Sequence, residues 1–423
     1  MRKFITSLLT ISGILFLSFC SKTSLVDIMS VPGSTESSGI TIYVASWGNF
    51  FNPGTKEFPI SDVWQAVNVA KSAGASHIYF ASGNYMVAGG LFIDRDISLH
   101  GGYDSSFKTQ TPLATRIDGQ IIFQNVTRNC VISGFDLSCT FTSCISVNMV
   151  ASPTIINNHF SAYMNQAINV NGAGAYPVII NCSSNYNTLA NAQYFINVSG
   201  GGSADVIGCS LNINNYIGDF TALNYTNFRY ANITNNTVYF RNPGAGPITV
   251  QRVISLSNGI GLAIIKNNNI KMYGTPSQDA CVINIDNYAA FKGSVLITQN
   301  NVTLSQAGTV SKNFIYASTC SKLALTISKN TFAFDNRFDE TGTSGINAIQ
   351  IVAAGILTFT DNIITGPRYV SAGTGFVFLL AITGVSINNP YEIARNTFYT
   401  GDSPDGNSAI MLSAFDSSSP VVD

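Results

Sequence analysis

A chain of 423 residues with 21 Lys and Arg against 22 Asp and Glu carries a net charge of −1 at neutral pH. Only 10% of it is charged and its mean hydropathy is +0.22, which excludes a solvated, disordered chain. A nucleic-acid partner would want a basic face, and this balance supplies none.

Arg2 and Lys3 precede an apolar run over residues 4–19, the pattern of a bacterial export signal. Removing residues 1–19 deletes these two cations and takes the net charge from −1 to −3. Leu17-Ser18-Phe19-Cys20 closes the run and resembles the lipobox of bacterial lipoproteins, although Phe19 stands where that box has a small residue. The resemblance implies that Cys20 receives the lipid and becomes the mature N-terminus. Residues 20–39, polar and rich in Ser, Thr and Gly, read as a flexible tether. The expected address is the bacterial cell envelope, at the outer membrane, with the membrane as a partner through the N-terminal lipid. No second apolar run reaches spanning length.

Ile42-Tyr43-Val44 opens the folded domain as a strand, and residues 49–59 follow as a loop. Ser61 is placed to cap a short helix over 62–73, with Val63, Trp64, Val67 and Ala70 on one face and Gly74 as its stop. At the start of a solenoid such a helix covers the open end of the core. Ile78-Tyr79-Phe80 and Gly83-Asn84-Tyr85 begin the coils. Asp104 and Asp118 sit beside Gly and read as turn formers.

From there the chain repeats itself. A β-branched or aromatic residue, two variable positions, Asn, one variable position and a large apolar residue recur around Asn158, Asn236, Asn268, Asn300, Asn330, Asn362 and Asn396. From Asn236 onward the steps are 32, 32, 30, 32 and 34 residues, a period that means a repeat architecture. Between these Asn lie apolar-polar-apolar triplets such as Ile168-Asn169-Val170, Ile254-Ser255-Leu256, Ile283-Asn284-Ile285, Phe378-Leu379-Leu380 and Ile410-Met411-Leu412. Alternation is the strand signal, so each repeat holds at least two strands. Parallel strands without crossover helices can only coil on themselves. The fold class is all-β, a single-stranded right-handed parallel β-helix solenoid over 40–415 with a short N-terminal capping helix and a frayed tail at 416–423. The recurring Asn is assigned two structural duties: bending the chain in the left-handed region, and stacking its amide on the next coil.

The turns of type "IIKNNNI" in register with strands of type "VINID" resemble the right-handed parallel β-helix proteins of the pectin-lyase-like superfamily, over residues 40–415. That resemblance implies the fold; the superfamily hosts lyases, hydrolases, esterases and adhesins. Its enzymes carry carboxylates and a basic residue on one outward strip, and no position here matches them. The polar members of the triplets are Ser146, Asn169, Asn197, Asn224, Ser255, Asn284, Tyr316 and Gln350, followed by Leu379 and Met411. None is charged, and Asp286 stands alone two residues beyond Asn284.

These amides and hydroxyls, with Tyr239, Tyr273, Tyr369 and Tyr399 nearby, suit a glycan or a host-surface ligand. The expected function is therefore a lipid-anchored, non-catalytic envelope protein binding polysaccharide or a host surface. The alternative is a polysaccharide lyase or glycoside hydrolase with loop-borne carboxylates. Its acids would come from loops such as that holding Asp335, Asp339 and Glu340 around Arg337, while Asp402, Asp405 and Asn407 have calcium-friendly spacing but read as a turn. Loops 335–340 and 402–407 are also the only places that suit calcium; otherwise no metal or cofactor is expected. Eight Cys minus Cys20 leave seven. Cys139 with Cys144, and Cys182 with Cys209 on adjacent coils, are candidate disulfides; small buried thiols are the alternative.

Overall fold

The structure, a computed structural model, describes residues 39–140, 143–186, 193–214, 220–242, 251–274, 280–288, 292–306, 312–335, 346–352, 354–367, 377–383, 390–400, 407–413 and 421–422. The leader, Cys20 and nearly all of the tether lie outside them. Apolar residues at every second position turn one face of each strand inward, and stacking coils buries those faces against one another. The result is a parallel β-solenoid, with three strands per coil where the triplets and Asn motifs had pointed to at least two.

The first face is a fourteen-stranded sheet that starts at Thr41–Val44 and ends at Val421–Val422. Strands such as Leu262–Lys266 and Gly293–Thr298 pair on it in parallel, with Ile265 opposite Ile297. The second and third faces run through one 23-stranded sheet. Asn269–Gly274 and Asn301–Gln306 are neighbours on the second face, Ala280–Asp286 and Lys312–Ser318 on the third. Within 416–423, expected as a frayed tail, the described Val421 and Val422 pair with Glu392 and Ile393 and add a further rung.

At the start, the helix (α1, Val63–Ala73) is capped by Asp62, not Ser61. The Asp62 carboxylate accepts from Gln65 N at 2.7 Å, because only the residue immediately before the first turn reaches its free amides. Val63, Ala66, Val67 and Ala70 are buried, Trp64 is half-buried, and Gly74 ends the helix at φ 68°.

The corner between the first and second faces corrects one expectation. The residue that enters the left-handed region is the one before each recurring Asn: Asn157, Asn235, Asn267, Gln299, Lys329, Asp361 and Arg395 all have φ between 53° and 58°. The bend there frees the next side chain to turn inward and stack. Asn268 uses its whole amide this way. Its Oδ1 accepts from Asn236 N at 3.0 Å and Asn236 Nδ2 at 2.9 Å. Its Nδ2 donates to Ile233 O and Asn300 Oδ1, both at 2.9 Å. The pattern repeats through Asn300, Asn330 and Asn362 to Asn396. Two donors and two acceptor positions are what an amide has, so these buried groups are fully satisfied.

Cys182 and Cys209 occupy the same column between Asn158 and Asn236. Their thiols donate to Ile155 O at 3.6 Å and Ile179 O at 3.9 Å, the role Nδ2 plays elsewhere. Cys209 hydrogen-bonds Cys182, and that contact and burial push its thiol well up. All seven Cys of the described residues, Cys139 and Cys144 included, are buried free thiols, so neither candidate disulfide forms.

The ladder sets a stability gradient. Asn268→Ala orphans Asn236 N and Ile233 O inside the core and should cost about 3–5 kcal/mol. Asn396→Ala, at the half-buried end, should cost about 1–2 kcal/mol because water replaces the lost partners. Urea titrations followed by circular dichroism separate the two; equal losses would contradict the gradient.

Candidate functional site

Register places Ser146, Asn169, Asn197, Asn224, Ser255, Asn284, Tyr316 and Gln350 side by side in one column of the third face. Beyond Gln350 the column continues through Ala381 and Met411. Leu379 is not on it: it is fully buried, and the pairing of Gln350 with Ala381 fixes a register in which Leu380 and Ile382 flank the column. The column position lies two residues beyond Leu379, and a Phe-Leu-Leu-Ala-Ile run carries no polar residue to mark it.

The column is less open than its composition implies. Ser146, Ser255 and Asn284 are buried, and the others from Asn169 to Gln350 are half-buried. Asn224 Nδ2 donates to Asn197 Oδ1 at 2.8 Å, and Asn197 Nδ2 to Asn169 Oδ1 at 3.3 Å. Gln120 Nε2 donates to the hydroxyls of Ser143 and Ser146 at 2.9 and 3.1 Å. Much of the column's hydrogen-bonding capacity is spent along the solenoid axis, as a second, looser ladder.

The second face offers more. Tyr239 and Arg241 on one coil lie opposite Lys271 and Tyr273 on the next. Alternation turns all four outward, and the two tyrosine rings meet diagonally at 5.5 Å with planes 47° apart. Arg241 and Lys271 are exposed, and both tyrosines are half-buried. Asn212 and Asn214 continue the patch on the preceding coil, bonded to each other at 2.9 Å. Thr303 continues it on the following coil, opposite Lys271. The column of Tyr239 and Lys271 runs on to an exposed Tyr399. Tyr369 lies outside the described residues.

Asp286 lies on the third face, away from this patch, whereas Asp335 stands one coil beyond Ser305, the residue opposite Tyr273. Asp286 Oδ1 accepts from Ser318 Oγ at 2.9 Å and Thr319 Oγ1 at 3.3 Å. Asp335 follows the strand Thr331–Phe334 and bonds Leu304 O through its backbone at 2.9 Å. Arg337, Asp339, Glu340, Asp402 and Asp405 lie outside the described residues. Asp104 is a turn former as expected: its carboxylate accepts from Lys108 N, Ser106 N and Ser106 Oγ, which holds it down to about 2. Asp118 is not, since it lies within the strand Thr115–Gln124. There Arg116 holds it at 2.9 Å and reaches Asp136 of the next coil at 3.7 Å. The two carboxylates thus share a cation.

Composition also concealed a pair of histidines. His77 Nδ1 and His100 Nε2 are 3.2 Å apart, and His100 Nδ1 lies 3.0 Å from Ser133 Oγ. His77 is opposite Ser98 and His100 is opposite Tyr79, so the two rings meet on a diagonal between adjacent coils, while Ser133 is directly opposite His100 on the next. Burial pushes His100 down to about 4, helped by His77 beside it, and burial also lowers His77. The relay has no carboxylate behind it, unlike a hydrolytic triad. Among the described residues no group of three or more His, Cys, Asp or Glu is arranged to hold a metal, and no helix is long and apolar enough to cross a membrane.

No protein-family model matches this sequence, and no curated protein does. Two solved structures do resemble the chain, both of the surface protein and adhesin PfbA of Streptococcus pneumoniae. One is 11% identical with a TM-score of 0.39, covering 84% of this chain and 96% of its own. The other is 12% identical with a TM-score of 0.38, covering 82% and 90%.

The histidine pair makes stability pH-dependent. With a folded value near 4 against about 6.5 unfolded, His100 binds its proton more readily in the unfolded chain. Its contribution is intact above pH ~6.5 and is lost as pH falls toward 4, by about 3 kcal/mol at most. Thermal melts at pH 7.5 and 4.5 should show the drop, and His100→Gln should reduce it.

Proposed function

We propose that this protein is a non-catalytic, lipid-anchored component of the bacterial envelope that binds polysaccharide through the second face of its solenoid. The observation that carries the reading is the alternating patch of Tyr239, Arg241, Lys271 and Tyr273. Tyrosine rings offer a flat apolar surface with a polar edge for sugar rings. The two cations between them favour saccharides bearing carboxylate or sulfate, through charge-assisted hydrogen bonds. Asn212, Asn214 and Thr303 supply donors and acceptors for hydroxyls on either side. The amide column of the third face, from Ser146 to Gln350, is a secondary contact at most, because its groups already serve one another. Calcium in loops 335–340 or 402–407 is not needed for this reading.

Retention of the purified mature protein on immobilised acidic and neutral polysaccharides, with the supernatant assayed for unsaturated or reducing products, tests it. Acidic polymers should retain the protein without product. Tyr239→Ala with Tyr273→Ala should lower the affinity at least tenfold, and Arg241→Gln with Lys271→Gln should abolish the preference for acidic polymers. Product release would instead establish the lyase or hydrolase alternative.

The envelope address rests on the leader and Cys20. Labelled palmitate should enter the wild-type protein and be absent from Cys20→Ser. An unlabelled wild type would remove the lipid from the proposal.

A further inference from the structure

The loop after the first strand is the most apolar exposed part of the described solenoid. Trp47, Phe50, Phe51 and Phe58 fall within twelve residues and are 54%, 45%, 88% and 60% exposed. Single exposed apolar residues are ordinary, but four aromatics in one loop mark an interaction surface.

The loop is not slack. Ala45 N donates to Ile60 O at 2.9 Å, Asn49 N to Pro59 O at 3.2 Å, and Gly54 N to Phe58 O at 3.1 Å. Asn52 Nδ2 donates to Pro59 O at 2.8 Å. Gly48 has no space for a side chain, since a Cβ there would meet Pro59 O at 2.3 Å. A backbone pinned in this way holds the rings in water by construction. Phe50 and Phe51 touch each other edge to face at 5.2 Å, and neither belongs to the core.

The loop's own charges, Lys56 and Glu57, offset each other, and Lys56 lies over the Tyr43 ring at 5.7 Å. Its chemistry is therefore aromatic and neutral. It directly follows the first strand, and 20 residues separate Cys20 from Thr41 at the start of that strand.

We infer that the 47–58 loop seats in the interfacial layer of a lipid bilayer, as a second membrane contact beside the lipid on Cys20. The inference rests on the anchoring proposed above for bringing the loop to the membrane. A short tether raises the loop's effective concentration at the surface. Aromatic side chains with apolar bodies favour the layer between headgroups and acyl chains.

Trp47 reports on this directly, because the chain has only two Trp and the other, Trp64, packs beside Phe92 on the covered end. The test uses unlipidated protein lacking residues 1–19, with Cys20→Ser and Trp64→Phe, mixed with neutral phosphatidylcholine vesicles. Trp47 emission should shift to the blue and the protein should sediment with the vesicles. Phe50→Ser with Phe51→Ser should lower the partition coefficient at least tenfold with an unchanged melting temperature. Added salt or anionic lipid should change little.

No shift and no sedimentation with neutral or anionic vesicles would overturn the inference. So would a shift produced by soluble oligosaccharide, which would make the loop a sugar platform, or by protein concentration without lipid, which would make it a contact between copies. Because this protein carries no lipid, the result stands apart from the palmitate experiment: either can fail alone.

Discussion

The buried amide ladder is the constraint on which the solenoid depends. A parallel β-solenoid repeats one cross-section, so any polar group placed inside a corner recurs in every coil and must be satisfied in every coil. Asn does this with its own neighbours: each side chain from Asn236 to Asn362 donates to the next and to a carbonyl of the coil before. The left-handed residue before it lets the chain turn, even where that residue is Gln299, Lys329 or Arg395. Such a backbone is unfavourable for a side chain with a Cβ, and the stacked amides over-determine it. The fold thus takes its corner from hydrogen bonding as much as from apolar burial.

Where the ladder is interrupted, the chain uses small groups with one weak donor. Cys182 and Cys209 keep the contact to the preceding coil's carbonyl and give up the amide-to-amide bond. The shorter coils of 24 and 27 residues fall in this region. Pairing these thiols would remove the donors that bond Ile155 O and Ile179 O, which favours their free state.

Stacking also decides which outward residues remain available to a ligand. Amides and hydroxyls of the third face are close enough in register to bond one another, and several are buried. The second face places unlike residues opposite each other, Tyr against Lys and Arg against Tyr, with the two tyrosine rings in contact. Local variety in an otherwise repetitive surface is the feature on which the proposed binding patch rests.

Much of the architecture was legible in the sequence, because a solenoid writes its period into the chain. The recurring Asn, the alternating triplets and the helix at the start all express local rules that hold coil by coil. Phe378-Leu379-Leu380 failed because the column position is Ala381, two residues further on, and an apolar run has no polar residue to mark it. The division of labour at the corner, with one residue bending and the next stacking, needed backbone angles. The meeting of His77 with His100, the sharing of Arg116 by Asp118 and Asp136, and the Tyr239–Tyr273 contact are relations between coils. The sequence by itself determined the repeat, since periodicity is local; only the tertiary structure decided which side chains satisfy one another and which are left to face water, since that depends on register across coils.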